Sequence, residues 1–170
     1  PLHHAAAARA FRPRETVLVT GGTGGIGAHL ARWLAKNGAA HLVLTSRRGA
    51  DAPGATALEA ELTALGVRVT LAACDVADRQ AVAALLNRLA AEGPPLRAVI
   101  HAAGISRKSV LSALPLSEFA EVAASKVAGA LHLSQLLDST PLDAFVLFSS
   151  VSGVWGSSHL GAYSAANAFL

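Results

Sequence analysis

The chain holds one tyrosine, Tyr163, and Ser150 lies thirteen residues before it. A phenol has a reference pKa of about 10, so it serves acid–base chemistry near neutrality only with electrostatic help, and a nearby cation supplies it. Of fourteen basic residues only three are lysines: Lys36, Lys108 and Lys126. Lys126 is the sole formally charged side chain from Val122 through Leu137, in a stretch that is otherwise largely apolar. Such a lysine either snorkels at a helix edge or is put to use, because an unpaired buried ammonium is costly.

A second group of residues suits phosphate. The run Thr20-Gly21-Gly22-Thr23-Gly24-Gly25-Ile26-Gly27 follows an apolar β-branched segment and opens an Ala/Leu-rich one. Glycines there permit a tight turn and let the backbone approach a pyrophosphate at a helix N-terminus. The spacing departs from the usual G-x-G-x-x-G, and the strand–turn–helix setting is what separates it from a plain glycine-rich turn. Where a dinucleotide enzyme usually places an acid for the ribose 2′-hydroxyl, this chain reads Thr45-Ser46-Arg47-Arg48. Two guanidinium forks and a hydroxyl suit a 2′-phosphate, hence NADPH, unless they form only a solvated charge pair. Asp75 and Val76 follow the third strand, where the Asp could accept from an adenine amino group. His101-Ala102-Ala103-Gly104 follows the fourth, with residues small enough for close approach to ribose and nicotinamide.

These residues need a scaffold that brings strand ends together. Apolar β-branched runs predict strands over 16–20, 41–45, 67–71, 98–101 and 144–148. Helices are predicted over 26–36, 55–65, 79–91 and 118–137, and from Ala162 onward. Breakers at Asn37-Gly38, Gly66, Gly93-Pro94-Pro95 and Pro141 fall between them. Strands apolar on both faces suit a parallel sheet covered on each side. The expected fold is α/β: a Rossmann-like, doubly wound parallel sheet, with all candidate segments at the carboxyl ends of strands. Residues 1–14 read as a linker and 15–170 as a catalytic unit. Leu170 interrupts a helix pattern without a stop signal, so further strands are expected beyond it.

Composition narrows the function classes. With 170 residues, 52% hydrophobic and 15% charged, the chain is one ordered domain. A net charge of +3 with scattered basic residues does not suggest nucleic acid. No apolar run reaches the length of a membrane span, and no secretory leader is evident. A single cysteine, Cys74, fits a reducing, cytoplasmic setting. His29, His41 and His132 have no metal-ligand spacing, so no metal is expected.

Taken together, Thr20–Gly27, His101–Gly104 and the Ser150/Tyr163 pair resemble the short-chain dehydrogenase/reductase superfamily. Most of its members carry Lys four residues after the Tyr; here that position is Asn167, and the lysine stands at Lys126. This exchange resembles the ketoreductase domains of modular type I polyketide synthases, over about residues 14–170. The resemblance implies NADPH-dependent reduction of a β-ketoacyl thioester held on the phosphopantetheine of an acyl carrier protein, beside neighbouring synthase domains. Ser150 would donate to the substrate carbonyl, Tyr163 would deliver the proton, and Lys126 would lower the phenol's pKa and reach the nicotinamide ribose. Asn167 would orient Lys126 or a water. A free-standing short-chain reductase and a redox-silent or epimerising module are the alternatives.

The same resemblance bears on stereochemistry. One class carries Leu-Asp-Asp after the alanine-glycine loop, where this chain reads Ile105-Ser106-Arg107-Lys108. The A-type class carries a Trp eight residues before the Tyr, and Trp155 stands there. Three residues before the Tyr is Leu160, not the His associated with epimerised substrates, although His159 adjoins it. An A-type, non-epimerising domain giving the L-hydroxyl is expected.

Overall fold

The computed structural model describes residues 10–170; the His3-His4 and alanine run of the expected linker lies outside the described residues. Five strands form one wholly parallel sheet: β1 (Thr16–Thr20), β2 (His41–Ser46), β3 (Arg68–Ala73), β4 (Leu96–His101) and β5 (Ala144–Leu147). Their order is β3-β2-β1-β4-β5. The chain winds outward from β1 to β3, then returns past β1 to β4 and β5. The reversal leaves a crevice between the carboxyl ends of β1 and β4, where open sheets of this kind bind ligands.

Helices α1 (Gly25–Lys36) and α2 (Ala55–Ala64) cover one face. Val17, Val19, Leu42, Leu44 and Ile100 pack there against Ala31, Leu34, Leu58 and Leu62. On the other face, α3 (Arg79–Glu92) contributes Val82, Leu85 and Leu89 to a layer with Leu18, Val43 and Val99. Residues of β1 thus alternate between two apolar layers and are all buried, the reason its run shows no polar alternation. The Asp78 carboxylate caps α3, accepting from the Gln80 and Ala81 amides at 2.8 and 3.1 Å.

The long helix expected over 118–137 is divided. Helix α4 (Leu116–Ala123) runs into a π-helical turn over Ala124–Ala128 before α5 (Gly129–Leu136) resumes. A π turn inserts extra backbone and often marks a functional position. Here it contains Lys126. After β5 come a one-turn helix absent from the sequence expectation, α6 (Ser152–Trp155), and then α7 (Gly161–Phe169).

The amino-terminal rim of the sheet is tied by charge. Arg14 forks onto Asp143 at 2.7 and 3.0 Å, and Arg97 donates to Glu15 at 2.6 Å. Pro13 is buried, and Phe11 stacks on Trp33 with centroids 6.4 Å apart. Residues 11–14 therefore dock on the domain rather than hang free, which the polar Arg12-Pro13-Arg14 run did not suggest. No helix among the described residues is long and apolar enough to cross a membrane.

Candidate active site

The glycine loop is built by close approach. Gly21 has φ +66°, a left-handed conformation, and a Cβ there would stand 2.8 Å from Ala103 Cα. A Cβ on Gly27 would stand 2.2 Å from the Gly21 carbonyl oxygen, so only glycine lets α1 start beneath the loop. Gly25 differs: nothing lies within 4 Å of its Cβ position, and the N-terminal end of α1 is open there. Gly22, by contrast, is buried against Leu44, whereas Thr23, Gly24 and Ile26 line or flank the opening.

A cleft of about 220 Å³ continues from Gly21 past Ser46, Arg47, Asp75 and Val76 to Gly104. Arg47 is exposed at its rim and Arg48 in the adjoining hollow with Thr23 and Gly24, and neither pairs with a carboxylate among the described residues. The Ser46 hydroxyl is buried without a hydrogen-bond partner. An orphaned hydroxyl beside two unpaired guanidiniums is a donor set suited to a phosphate. Asp75 is exposed and accepts from the Ala77 amide at 3.0 Å, leaving carboxylate capacity toward the cleft. Glu121 on α4 also lines the cleft, and Arg107 holds it through paired hydrogen bonds of 3.0 and 2.8 Å. Sequence reasoning missed Glu121, because nothing local marks which α4 residue turns inward.

At the other end of the crevice, three segments converge. Lys126 is only 4% exposed, and its ammonium donates to the Phe148 carbonyl at 2.7 Å. Burial pushes its pKa below the ordinary lysine value. Its Nζ lies 5.9 Å from the centre of the Tyr163 ring, within cation–π range. The lysine does not snorkel. Space for it comes from Gly104, where a Cβ would stand 2.9 Å from Lys126 Cε.

Ser150 follows β5, and its Oγ accepts from the Ser152 amide at 3.2 Å. With a lone pair so engaged, the hydroxyl proton is free to donate outward. Tyr163 is half-buried on α7, whose first turn is set by an isolated bridge between Ser109 and Leu160. Asn167 is buried, but its amide donates to the Tyr163 carbonyl at 2.7 Å, not to Lys126; its Oδ1 has no partner. Ala102 and Ala103 line the crevice, whereas the His101 side chain is fully buried beneath it, so only its backbone is near a ligand. Trp155 is 83% exposed at the end of α6, beside the equally exposed Val154.

A doubly wound parallel sheet with a glycine loop at its crevice and a buried lysine beside a tyrosine beyond it is the fold of the short-chain dehydrogenase/reductase class. The family model described as "KR domain" matches residues 15–170, and the chain belongs to this family, the ketoreductase domains of modular type I polyketide synthases. Erythronolide synthase EryA3 of Saccharopolyspora erythraea is 63% identical over 156 residues, 91% of this chain and 5% of that protein. Pikromycin polyketide synthase component PikAIII of Streptomyces venezuelae is 54% identical over 170 residues, 100% of this chain and 11% of that protein. A solved A-type ketoreductase from a modular polyketide synthase superposes with a TM-score of 0.89 at 53% identity, covering 98% of this chain and 35% of that one. The chain therefore spans a small part of its curated relatives and about a third of the solved ketoreductase. An NAD+-bound xylitol dehydrogenase, 24% identical with a TM-score of 0.81 over 91% of this chain and 60% of that one, shares the fold.

Proposed function

We propose that the domain reduces the β-ketone of an acyl thioester, carried by an acyl carrier protein, to a β-hydroxyl with NADPH. The observation that carries this reading is the buried Lys126, which lies over the Tyr163 ring, packs against Gly104 of the crevice and donates to the Phe148 carbonyl two residues before Ser150. Orphaned Ser46 with unpaired Arg47 and Arg48 supports NADPH over NADH, because a 2′-phosphate would satisfy all three. Bound NADPH would supply a hydride to the carbonyl carbon.

The chain's own residues govern the oxygen. Ser150 donates to the ketone oxygen and fixes which face turns toward the nicotinamide. Tyr163 gives its proton to that oxygen as the C–O double bond becomes single, so the product is a neutral alcohol. Lys126, held by the Phe148 carbonyl, places its positive charge beside the phenolate that remains. Trp155 stands exposed at the end of α6, and solved A-type and A1-type ketoreductases are similar in sequence, which supports the L-hydroxyl. The whole synthase module, given a carrier-bound β-ketoacyl substrate, tests the reading. Tyr163→Phe should remove most reduction while leaving NADPH affinity near the parent's; parent-like turnover in that variant would overturn it.

A further inference from the structure

Three consecutive residues follow β5, and the middle one has no part in the mechanism above. The Phe148 carbonyl accepts from the Lys126 ammonium at 2.7 Å, and the Phe148 amide is itself fixed to the His101 carbonyl of β4 at 2.9 Å. Ser150 carries the hydroxyl given to the substrate oxygen. Between them, Ser149 donates its hydroxyl to the Asn167 carbonyl of α7 at 2.7 Å. Among the described residues this is the only side-chain hydrogen bond that reaches α7 from another element.

Asn167 passes that hold on to the phenol. It is buried, and its side-chain amide donates to the Tyr163 carbonyl at 2.7 Å, one helical turn back. The two ends of α7 are thus held differently. Its first turn is set by the bridge between Ser109 and Leu160, and its last turn by Ser149. Beside that last turn, a Cβ on Gly153 of α6 would stand 2.8 Å from the Ala168 nitrogen and 2.9 Å from the Asn167 carbonyl carbon. The two helices therefore touch backbone to backbone. Such a contact sets their separation, but dispersion has no direction and does not stop one helix from turning or sliding against the other. A hydrogen bond is directional and does.

We propose that Ser149 is a positioning residue: through the Asn167 carbonyl, its hydroxyl indexes the helix that bears Tyr163 to the strand end that bears Ser150. This rests on the catalytic reading given to Tyr163 and Ser150. The segment Phe148–Ser150 then holds the lysine, the tyrosine helix and the donor serine to one common reference.

The test uses the intact synthase module with NADPH and a carrier-bound β-ketoacyl substrate. Ser149 is exposed, so Ser149→Thr and Ser149→Val both have room, and the two differ only in a hydroxyl against a methyl. Ser149→Val should lower kcat about tenfold, less than the loss a full misplacement of about 1 Å brings, with KM for NADPH near the parent's. Ser149→Thr should keep most of the parent's turnover. Turnover is counted per molecule that binds NADPH, because a residue serving only the fold would change how many molecules bind and not the rate of each. Equal turnover of the Thr and Val variants, or a loss in Ser149→Val confined to the number of binding molecules, would overturn the proposal. If Ser149→Val does not fold, Ser149→Ala against Ser149→Thr decides on the same terms. Tyr163→Phe separates the two levels, since parent-like turnover there sinks the catalytic reading and this inference with it. An inactive Tyr163→Phe beside a parent-like Ser149→Val sinks this inference alone.

Discussion

Gly104 lacks the one atom that would collide with Lys126: a Cβ there would stand 2.9 Å from Lys126 Cε and 3.4 Å from Nζ. The backbone at Gly104 is not left-handed, so an alanine is compatible with its conformation. The obstacle is a flexible side chain rather than the fold. Gly104→Ala should leave the melting temperature near the parent's and cut turnover about tenfold by pushing the ammonium from its place. A variant that loses stability but keeps turnover per folded molecule would contradict this.

Two neighbouring glycines should behave in opposite ways. Gly27→Ala places a methyl 2.2 Å from the Gly21 carbonyl oxygen and should cost at least about 1–3 kcal/mol by overpacking. Gly25→Ala meets nothing within 4 Å and should leave urea unfolding unchanged. It should weaken NADPH all the same, because the methyl occupies the open N-terminal end of α1. Unfolding curves and cofactor titrations on the two variants decide the point.

Cofactor choice should reside at Arg47. Removing it should weaken NADPH by about 1–3 kcal/mol, the scale of one charged hydrogen bond, and leave NADH nearly unaffected. Equal losses for both cofactors would show that Arg47 serves the fold or the pyrophosphate instead.

Acid should destabilise the domain through its buried histidines. His101 titrates at about 4 because of burial, and burial with the nearby Arg68 also lowers His41. An unfolded chain takes up these protons near pH 6.5, before the folded one does. Stability conferred by the neutral rings is thus complete above about pH 6.5 and declines as pH falls toward 4. The paired carboxylates Glu61, Glu121 and Asp143 have lowered pKa values, so their contribution begins to fade only at the acid end of that window, near the unfolded carboxylate value of about 4. Urea midpoints between pH 7.5 and 4.5 should drop steadily, and a flat profile would contradict the burial of both rings.

Stereochemical control is assigned to Trp155. Chiral chromatography of the module's product should show the L-hydroxyl for the parent and loss of that preference for Trp155→Ala. A D-configured parent product would remove the indole from this role.

Much of this arrangement was legible in the residues, and the exceptions have physical reasons. All five strands fall within two residues of their expected ends, because β-branched runs bounded by Gly, Pro and Asn leave little choice. The π turn was not legible: Ala124-Ser125-Lys126-Val127-Ala128 contains no breaker, and only tertiary packing distinguishes it from ordinary helix. His101 was grouped with the nucleotide loop by adjacency. Strand alternation gave a better signal, since His101 shares a face with Val99, which is wholly buried in the α3-side layer. Asn167 shows another limit. Family spacing implied that it orients Lys126 or a water, but the rotamer that bonds it to the Tyr163 carbonyl depends on neighbours no sequence pattern displays.

The charge pairs at the amino-terminal rim bear on how such a domain changes over generations. Arg14–Asp143 and Arg97–Glu15 fasten the entrance of the sheet, and every residue given a chemical role lies at the opposite rim. A genetic crossover placed just ahead of Arg14 would exchange whatever precedes the domain without dividing a single member of the reactive group. Lineages should therefore diversify at the side where the chain enters, while inheriting Ser150, Tyr163 and Lys126 as one indivisible block.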